Sequence, residues 1–210
     1  MTTIALVTAG LSEPSSTRLL ADRLAEAAVA SLAAPGSGSA HVLHVDLRPL
    51  AHEITDAMLT GFAAPALSAA MATVVEADAV VFVTPIFTAG VSGLAKSFLD
   101  VLDKDALADM PVLLGATGGT ARHSLAIEHG LRPVFAYLRA AVVPTGVFAA
   151  TDDWGARATP PLWTGASAGR SGPRLGDPRL PSDPAGSRRA PGDGGLRVPV
   201  GRSRPLSPCS

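Results

Sequence analysis

The sequence predicts an α/β domain in which a parallel five-stranded sheet carries helices on both faces, a three-layer sandwich. Three observations support this. Short apolar runs such as Ile4-Ala5-Leu6-Val7 and Val80-Val81-Phe82-Val83 lack the polar alternation of half-exposed strands, so they read as strands buried on both faces. Between such runs stand segments whose apolar residues recur at helical spacing, as Leu20, Leu24, Ala27 and Ala28 do. The two kinds of segment alternate strictly along the chain, as expected of parallel strands joined by crossover helices.

The elements follow in order. Ile4 to Thr8 forms the first strand, and a polar loop from Ala9 to Thr17 leads to a first helix that ends at the Pro/Gly/Ser run 34–39. His41 to Asp46 is the second strand, and Pro65 to Ala77 the second helix. Val80 to Thr84 is the third strand, where Pro85 should stop pairing. Gly93 to Leu102 is the third helix, with Leu94, Phe98 and Val101 on one face. Val112 to Ala116 is the fourth strand, Arg122 to Ala140 a long fourth helix, and Ala141 to Phe148 the fifth strand. Five strands in a body of this size suit the flavodoxin-like order 2-1-3-4-5. Such sheets take ligands at the carboxyl ends of their strands, near the switch between strands 1 and 3.

Composition divides the chain near residue 156. Residues 1–156 carry eight basic and fifteen acidic side chains, a net of −7, whereas residues 157–210 carry nine Arg and three Asp, a net of +6. The second stretch also holds ten of the 18 prolines and nine of the 21 glycines, and has no lysine. It reads as a disordered tail, and the first stretch as one domain that buries roughly 70% of its unfolded surface. The acidic body argues against a nucleic-acid surface. The only cysteine is Cys209, so the body has no disulfide and no thiolate metal site, which fits a reducing compartment. No apolar run reaches membrane-spanning length and the N-terminus has no basic leader region, so a cytoplasmic protein is the expectation.

Three loops fall at the ligand edge. The first, Gly10 to Arg18, places Ser12, Ser15, Ser16 and Thr17 just before a helix. A helix start offers unpaired N–H groups and partial positive charge, which suits a phosphate; a plain helix cap is the competing use of one hydroxyl. The loop matches neither the P-loop pattern nor G-x-G-x-x-G, which speaks against a nucleoside-triphosphate or dinucleotide Rossmann site. The second, Thr84 to Gly93, holds Pro85, Ile86, Phe87, Thr88 and Gly90, with Phe87 as a flat apolar wall and Ser92 as a candidate cap of the next helix. The third runs Thr117-Gly118-Gly119-Thr120-Ala121-Arg122-His123; its paired glycines leave backbone amides free, unless Thr120 merely caps a turn. A phosphate cradle, an apolar wall and a polar backbone edge suit a phosphorylated, flat aromatic ligand, for which FMN is the candidate.

At these residues the body, from about Thr3 to Trp154, resembles the NADPH-dependent FMN reductase family. The resemblance is carried by Ser12-Glu13-Pro14-Ser15-Ser16-Thr17, by Thr84-Pro85-Ile86-Phe87 with Gly90-Val91-Ser92-Gly93-Leu94-Ala95-Lys96-Ser97-Phe98-Leu99-Asp100, and by Ala116 to Leu125. It implies that Ser12, Ser15, Ser16 and Thr17 hold the FMN phosphate, that Pro85 to Thr88 lie along the isoalloxazine ring, and that Thr117 to Thr120 meet its pyrimidine edge. Many relatives have Tyr where this chain has Phe87. Arg122 is implied to meet the NADPH phosphate or a partner subunit, and His129 resembles an oligomer-interface residue; His123 fits a structural hydrogen bond at a helix start. The implied activity is hydride transfer from NADPH or NADH to FMN, with no catalytic side chain or metal, in a homodimer or homotetramer that supplies reduced flavin to a monooxygenase. An FMN-containing quinone or azo reductase and a flavodoxin-type electron carrier are the alternatives.

The resemblance also implies a final amphipathic helix after Gly155, which Pro160, Pro161, Pro173, Pro178, Pro181 and Pro184 forbid. A reading-frame shift near residue 156 in a GC-rich gene accounts for a stretch rich in Arg, Pro, Gly, Ser and Ala; a basic tail that binds anionic surfaces is the alternative. Loss of that helix uncovers sheet surface beside strand 5 and implies poor solubility or flavin retention. Resequencing the gene is expected to reveal an alternative frame that encodes an Ala/Leu/Arg-rich helix, and its absence discards the frame-shift reading.

Overall fold

The computed structural model describes residues 1–32 and 39–154. The boundary at 156, the tail, its reading-frame origin and the final helix lie outside the described residues. Strands β1 (Thr2–Thr8), β2 (Ala40–Asp46), β3 (Ala79–Phe87) and β5 (Pro111–Gly118) form the sheet, with β6 (Ala141–Val142) and β7 (Val147–Ala150) side by side on its last edge. The order is β2-β1-β3-β5, and β6 and β7 both pair with β5. All these pairings are parallel. Counting β6 and β7 as one interrupted fifth strand gives the expected order 2-1-3-4-5.

Side chains along β1, β3 and β5 alternate between two apolar layers, as a sheet covered on both faces requires, whereas the edge strand β2 buries only Val45. On one face α1 (Ser16–Leu32) buries Leu20, Ala21, Leu24 and Ala25 against Ile4, Leu6, Val81, Val83 and Ala149. On the other, α2 (Ala51–Thr60), α3 (Pro65–Val75), α4 (Gly93–Val101) and α5 (Arg132–Tyr137) share a larger core with Val7, Val80, Phe82, Val112 and Leu114. At its centre the rings of Phe82 and Phe135 meet edge to face, 5.1 Å between centroids.

Several elements depart from the sequence expectation. Helix α2 was not expected. It ends at Gly61, whose φ of 79° only glycine adopts freely, and its Glu53 carboxylate accepts a hydrogen bond from the Leu67 amide at 2.9 Å in the first turn of α3. Pairing of β3 does not stop at Pro85. Pro85 stands in register with Thr117, and its carbonyl accepts from the Ser92 amide at 3.2 Å, so the missing N–H leaves the strand intact. The strand runs on to Phe87 and folds back as a hairpin with β4 (Gly90–Val91).

The long fourth helix is instead a 3₁₀ turn at Ala121–His123, a π-turn at Ile127–Leu131 and the short α5. Pro133 has no N–H to return to residue 129, and the wider i→i+5 turn absorbs the mismatch. The fifth strand breaks between Val142 and Val147, around Pro144. Arg132 braces that gap. Its guanidinium donates to the carbonyls of Val143 and Pro144, each at 3.0 Å, and clasps the Glu128 carboxylate at 2.6 and 2.8 Å. Among the described residues no single helix is long and apolar enough to cross a membrane.

Two predictions follow from this packing. Phe82→Ala removes the edge-to-face pair and opens a cavity, lowering unfolding free energy by about 3–5 kcal/mol in urea titrations with an unchanged m-value. The Arg132 hydrogen bond holds the Glu128 carboxyl below its ordinary pKa. A depressed folded-state pKa contributes stability above the ordinary carboxylate range and loses it as pH falls through the folded value. Glu128→Gln therefore lowers the melting temperature slightly at pH 7, and the gap to the parent closes below about pH 4.

Candidate functional site

The loop from β1 reaches α1 through a turn fixed by Gly10 and Ser15. The Ser15 hydroxyl accepts a hydrogen bond from the Arg18 amide at 3.2 Å, so Ser15, rather than Ser16 or Thr17, caps the helix. A Cβ on Gly10 would lie 2.3 Å from that hydroxyl oxygen, which leaves room only for glycine. Ser12 donates its hydroxyl hydrogen to the Pro14 carbonyl at 3.3 Å. The amides of Ser16 and Thr17, at the first turn of α1, have no acceptor among the described residues. Thr17 is 3% exposed, and its Oγ1 lies 2.9 Å from Oγ1 of Thr117 at the carboxyl end of β5.

The β3–β4 hairpin supplies the next wall. Pro85 and Ile86 are buried, and Phe87 stands half exposed at 49%. The two-residue tip, Thr88 and Ala89, has φ of 50° and 61°, the left-handed pair of a type I′ turn made without glycine. Ser92 stands at the N-cap position of α4 and its carbonyl accepts from the Lys96 amide at 3.0 Å, but its buried hydroxyl makes no cap bond and has no hydrogen-bond partner among the described residues.

Thr117 and Gly118 belong to β5 rather than to the loop beyond it. A Cβ on Gly118 would lie 2.8 Å from the Phe148 ring, whereas one on Gly119 would meet nothing within 4 Å. Gly118 thus serves packing, and Gly119 opens backbone to the exterior. Thr120 precedes the 3₁₀ turn without a side-chain cap bond.

These three loops meet. Ser12, Ser16, Thr17, Pro85, Ile86, Phe87, Thr117, Gly118 and Gly119 line one cleft of about 240 Å³, together with Leu11 and Thr151. Ser15 lines a neighbouring cavity of about 320 Å³ with Arg18, Asp46 and Arg48. Gly90 and Arg122 line another, of about 290 Å³, with His123 and His129. Thr88 and Thr120 are not on the cleft wall. Leu11 and Thr151 were missed by sequence reasoning. Thr151 directly follows the last strand at the sheet's carboxyl end, and that position was its signal.

Charge around the start of α1 is largely spent within the protein. Arg18 pairs with Asp22 at 2.8 Å and Arg48 with Glu13 at 3.0 Å. Among the described residues no charged side chain lines the cleft itself, and the polar groups they bring to it are hydroxyls and backbone. Among the described residues no group of three or more His, Cys, Asp or Glu is placed to hold a metal ion.

Residues 2–155 match the family model described as NADPH-dependent FMN reductase. An NADH-dependent FMN reductase, SfnE, of Pseudomonas putida is 37% identical over 146 residues, covering 70% of this chain and 75% of its own length. An FMN reductase (NADPH) of Pseudomonas aeruginosa is 40% identical over 119 residues, covering 53% of this chain and 63% of its own. Among solved structures, an oxidoreductase from Corynebacterium diphtheriae is 44% identical, with a TM-score of 0.71 over 75% of this chain and 86% of that one. The apo form of an NADH:FMN oxidoreductase, EmoB, is 30% identical, with a TM-score of 0.61 over 71% of this chain and 76% of that one. The family match spans the whole described sheet and all three loops of the cleft, and the chain belongs to the NADPH-dependent FMN reductase family.

Proposed function

We propose that this chain oxidises NADH or NADPH and reduces FMN held in the cleft between α1, the β3–β4 hairpin and the end of β5, and that the reduced flavin serves a monooxygenase. The observation that supports it most is the polarity gradient of the cleft. Two unpaired amides and the hydroxyls of Ser12 and Ser16 stand at the α1 end, an apolar wall of Pro85, Ile86 and Phe87 in the middle, and open backbone at Gly119 on the far side. These donors suit a phosphate without a paired cation, because helix-start amides carry partial positive charge. FMN fits this set. Ser12, Ser16 and Thr17 would hold its phosphate, Pro85 to Phe87 its ring, and Thr117 to Gly119 its polar ring edge.

Bound FMN supplies the hydride acceptor for a reduced nicotinamide. The protein's own part is placement. The Thr17–Thr117 hydrogen bond fixes the phosphate end relative to the ring edge, and Phe87 offers a flat face that excludes water on one side. The side chains that line the cleft among the described residues are hydroxyl-bearing or apolar. Phe87 is the one aromatic wall of the cleft among the described residues, which favours a flavin that exchanges over one that is sequestered. A cytoplasmic homodimer or homotetramer is part of the same reading.

The deciding measurement is NADH and NADPH oxidation by the full chain with and without added FMN. Oxidation that rises with added FMN is expected, and turnover supported only by flavin that copurifies overturns the reading in favour of a quinone or azo reductase. Phe87→Ala weakens FMN binding by about 1–2 kcal/mol, on the order of ten-fold in Kd by fluorescence quenching. Thr17→Val weakens it as well. In a double-mutant cycle with Thr117→Val the two losses are non-additive, because each variant breaks the same hydrogen bond.

A further inference from the structure

The β3–β4 hairpin stands out from the sheet on which it is built. β3 pairs with β1 only as far as Val83 and with β5 only as far as Pro85. Beyond Pro85 its ladder partner among the described residues is β4 alone, through the two rungs Ile86–Val91 and Phe87–Gly90. Ile86 is buried in the larger core and roots this arm. Phe87, one residue further out, is 49% exposed and lines the cleft. A short arm, anchored at one end only, thus carries the aromatic wall.

Both ends of the arm hold their conformation at a cost. At the tip, Thr88 and Ala89 take φ of 50° and 61°. That region crowds a Cβ against the following carbonyl, and a β-branched residue such as Thr88 tolerates it least. At the base, where the arm joins α4, the Ser92 hydroxyl is buried with no hydrogen-bond partner among the described residues. Meanwhile the Pro85 carbonyl accepts twice, from the Thr84 hydroxyl at 3.1 Å and from the Ser92 amide at 3.2 Å. The amides of Leu94 and Ala95, which an N-cap side chain serves, have no acceptor among the described residues. An idle buried hydroxyl beside idle donors is a pairing that a second conformation can make.

We infer that the hairpin is a hinged gate over the cleft, with Thr88 and Ala89 as its strained tip and Ser92 as its hinge. The inference rests on the reductase reading above. In the closed form the arm holds Phe87 along the cleft and leaves tip and hinge uncompensated. On opening, the Phe87–Gly90 rung parts and the tip relaxes out of the left-handed region. The Ser92 hydroxyl then turns to accept from the Ala95 amide, as the cap of α4. A flavin ring packed on Phe87 favours the closed form, because only that form offers the contact. The strain lowers the cost of opening, which suits a protein that hands on its reduced flavin.

The test uses the full chain with the pair Thr88→Asn and Ala89→Gly, which supplies the residues this turn type favours, and separately with Ser92→Ala. Hydrogen exchange over residues 86–92 is followed by mass spectrometry in the flavin-free chain. FMN dissociation is followed by stopped-flow fluorescence. Both variants are expected to stabilise the closed arm. The turn pair slows exchange and FMN dissociation about ten-fold, and Ser92→Ala slows both by less. A melting temperature that rises while exchange and dissociation keep their parental rates overturns the proposal, since the tip is then a strained turn and nothing more. Faster exchange in Ser92→Ala overturns it too, because the hydroxyl then supports the closed form. Failure of the parent to bind FMN sinks the reductase reading instead, and exchange in the flavin-free chain still decides whether the hairpin opens.

Discussion

The closeness of α1 to the carboxyl half of β5 is the constraint on which the site depends. Gly115 makes it possible: a Cβ there would come within 2.9 Å of Leu24 and 3.1 Å of Val83. With the helix seated that low, Thr17 reaches Thr117 across the sheet and the two hydroxyls bond at 2.9 Å in a nearly water-free setting. The helix start, the hairpin beside β5 and the glycine pair at the end of β5 then converge, with no charged clamp among the described residues. Small residues and hydroxyls set the geometry, and the inner side of the cleft is closely packed.

The electrostatics follow the same economy. The arginines nearest the helix start are held by Glu13 and Asp22, so their charge is not presented to the cleft. A phosphate there would be met by amide dipoles and hydroxyls, which discriminate by hydrogen-bond geometry more than by net charge. Arg122, which forms no ion pair among the described residues, lies instead behind the hairpin.

Much of this was legible in the sequence. Unbroken apolar runs located the central strands β1, β3 and β5, and the switch-point rule directed attention to the three loops that form the cleft. Some features were not legible, for identifiable reasons. Ser15 rather than its neighbours became the cap, because Gly10 lets the turn close onto that hydroxyl, and adjacent serines look alike to a sequence reading. Pro85 read as a stop because the rule concerns a lost donor; here the carbonyl kept the strand paired. The fourth helix read as continuous because its apolar spacing survives a π-turn. The split of the cleft from the Arg122 cavity depends on the hairpin, whose tip residues Thr88 and Ala89 lack the usual glycine signal.

The two faces of the sheet are unequally guarded. Among the described residues, α1 alone covers the face built on Ile4, Leu6, Val81 and Val83, whereas four helices share the other. Its first turn also lines the ligand cleft. Local opening of this one helix would strip a sheet face and dismantle the α1 end of the cleft in the same event. A ligand seated at its start would then act as a clamp on the least redundant part of the fold. By mass action, occupancy would slow amide exchange along α1 and much of β1 and β3, while the α2–α5 layer would respond little.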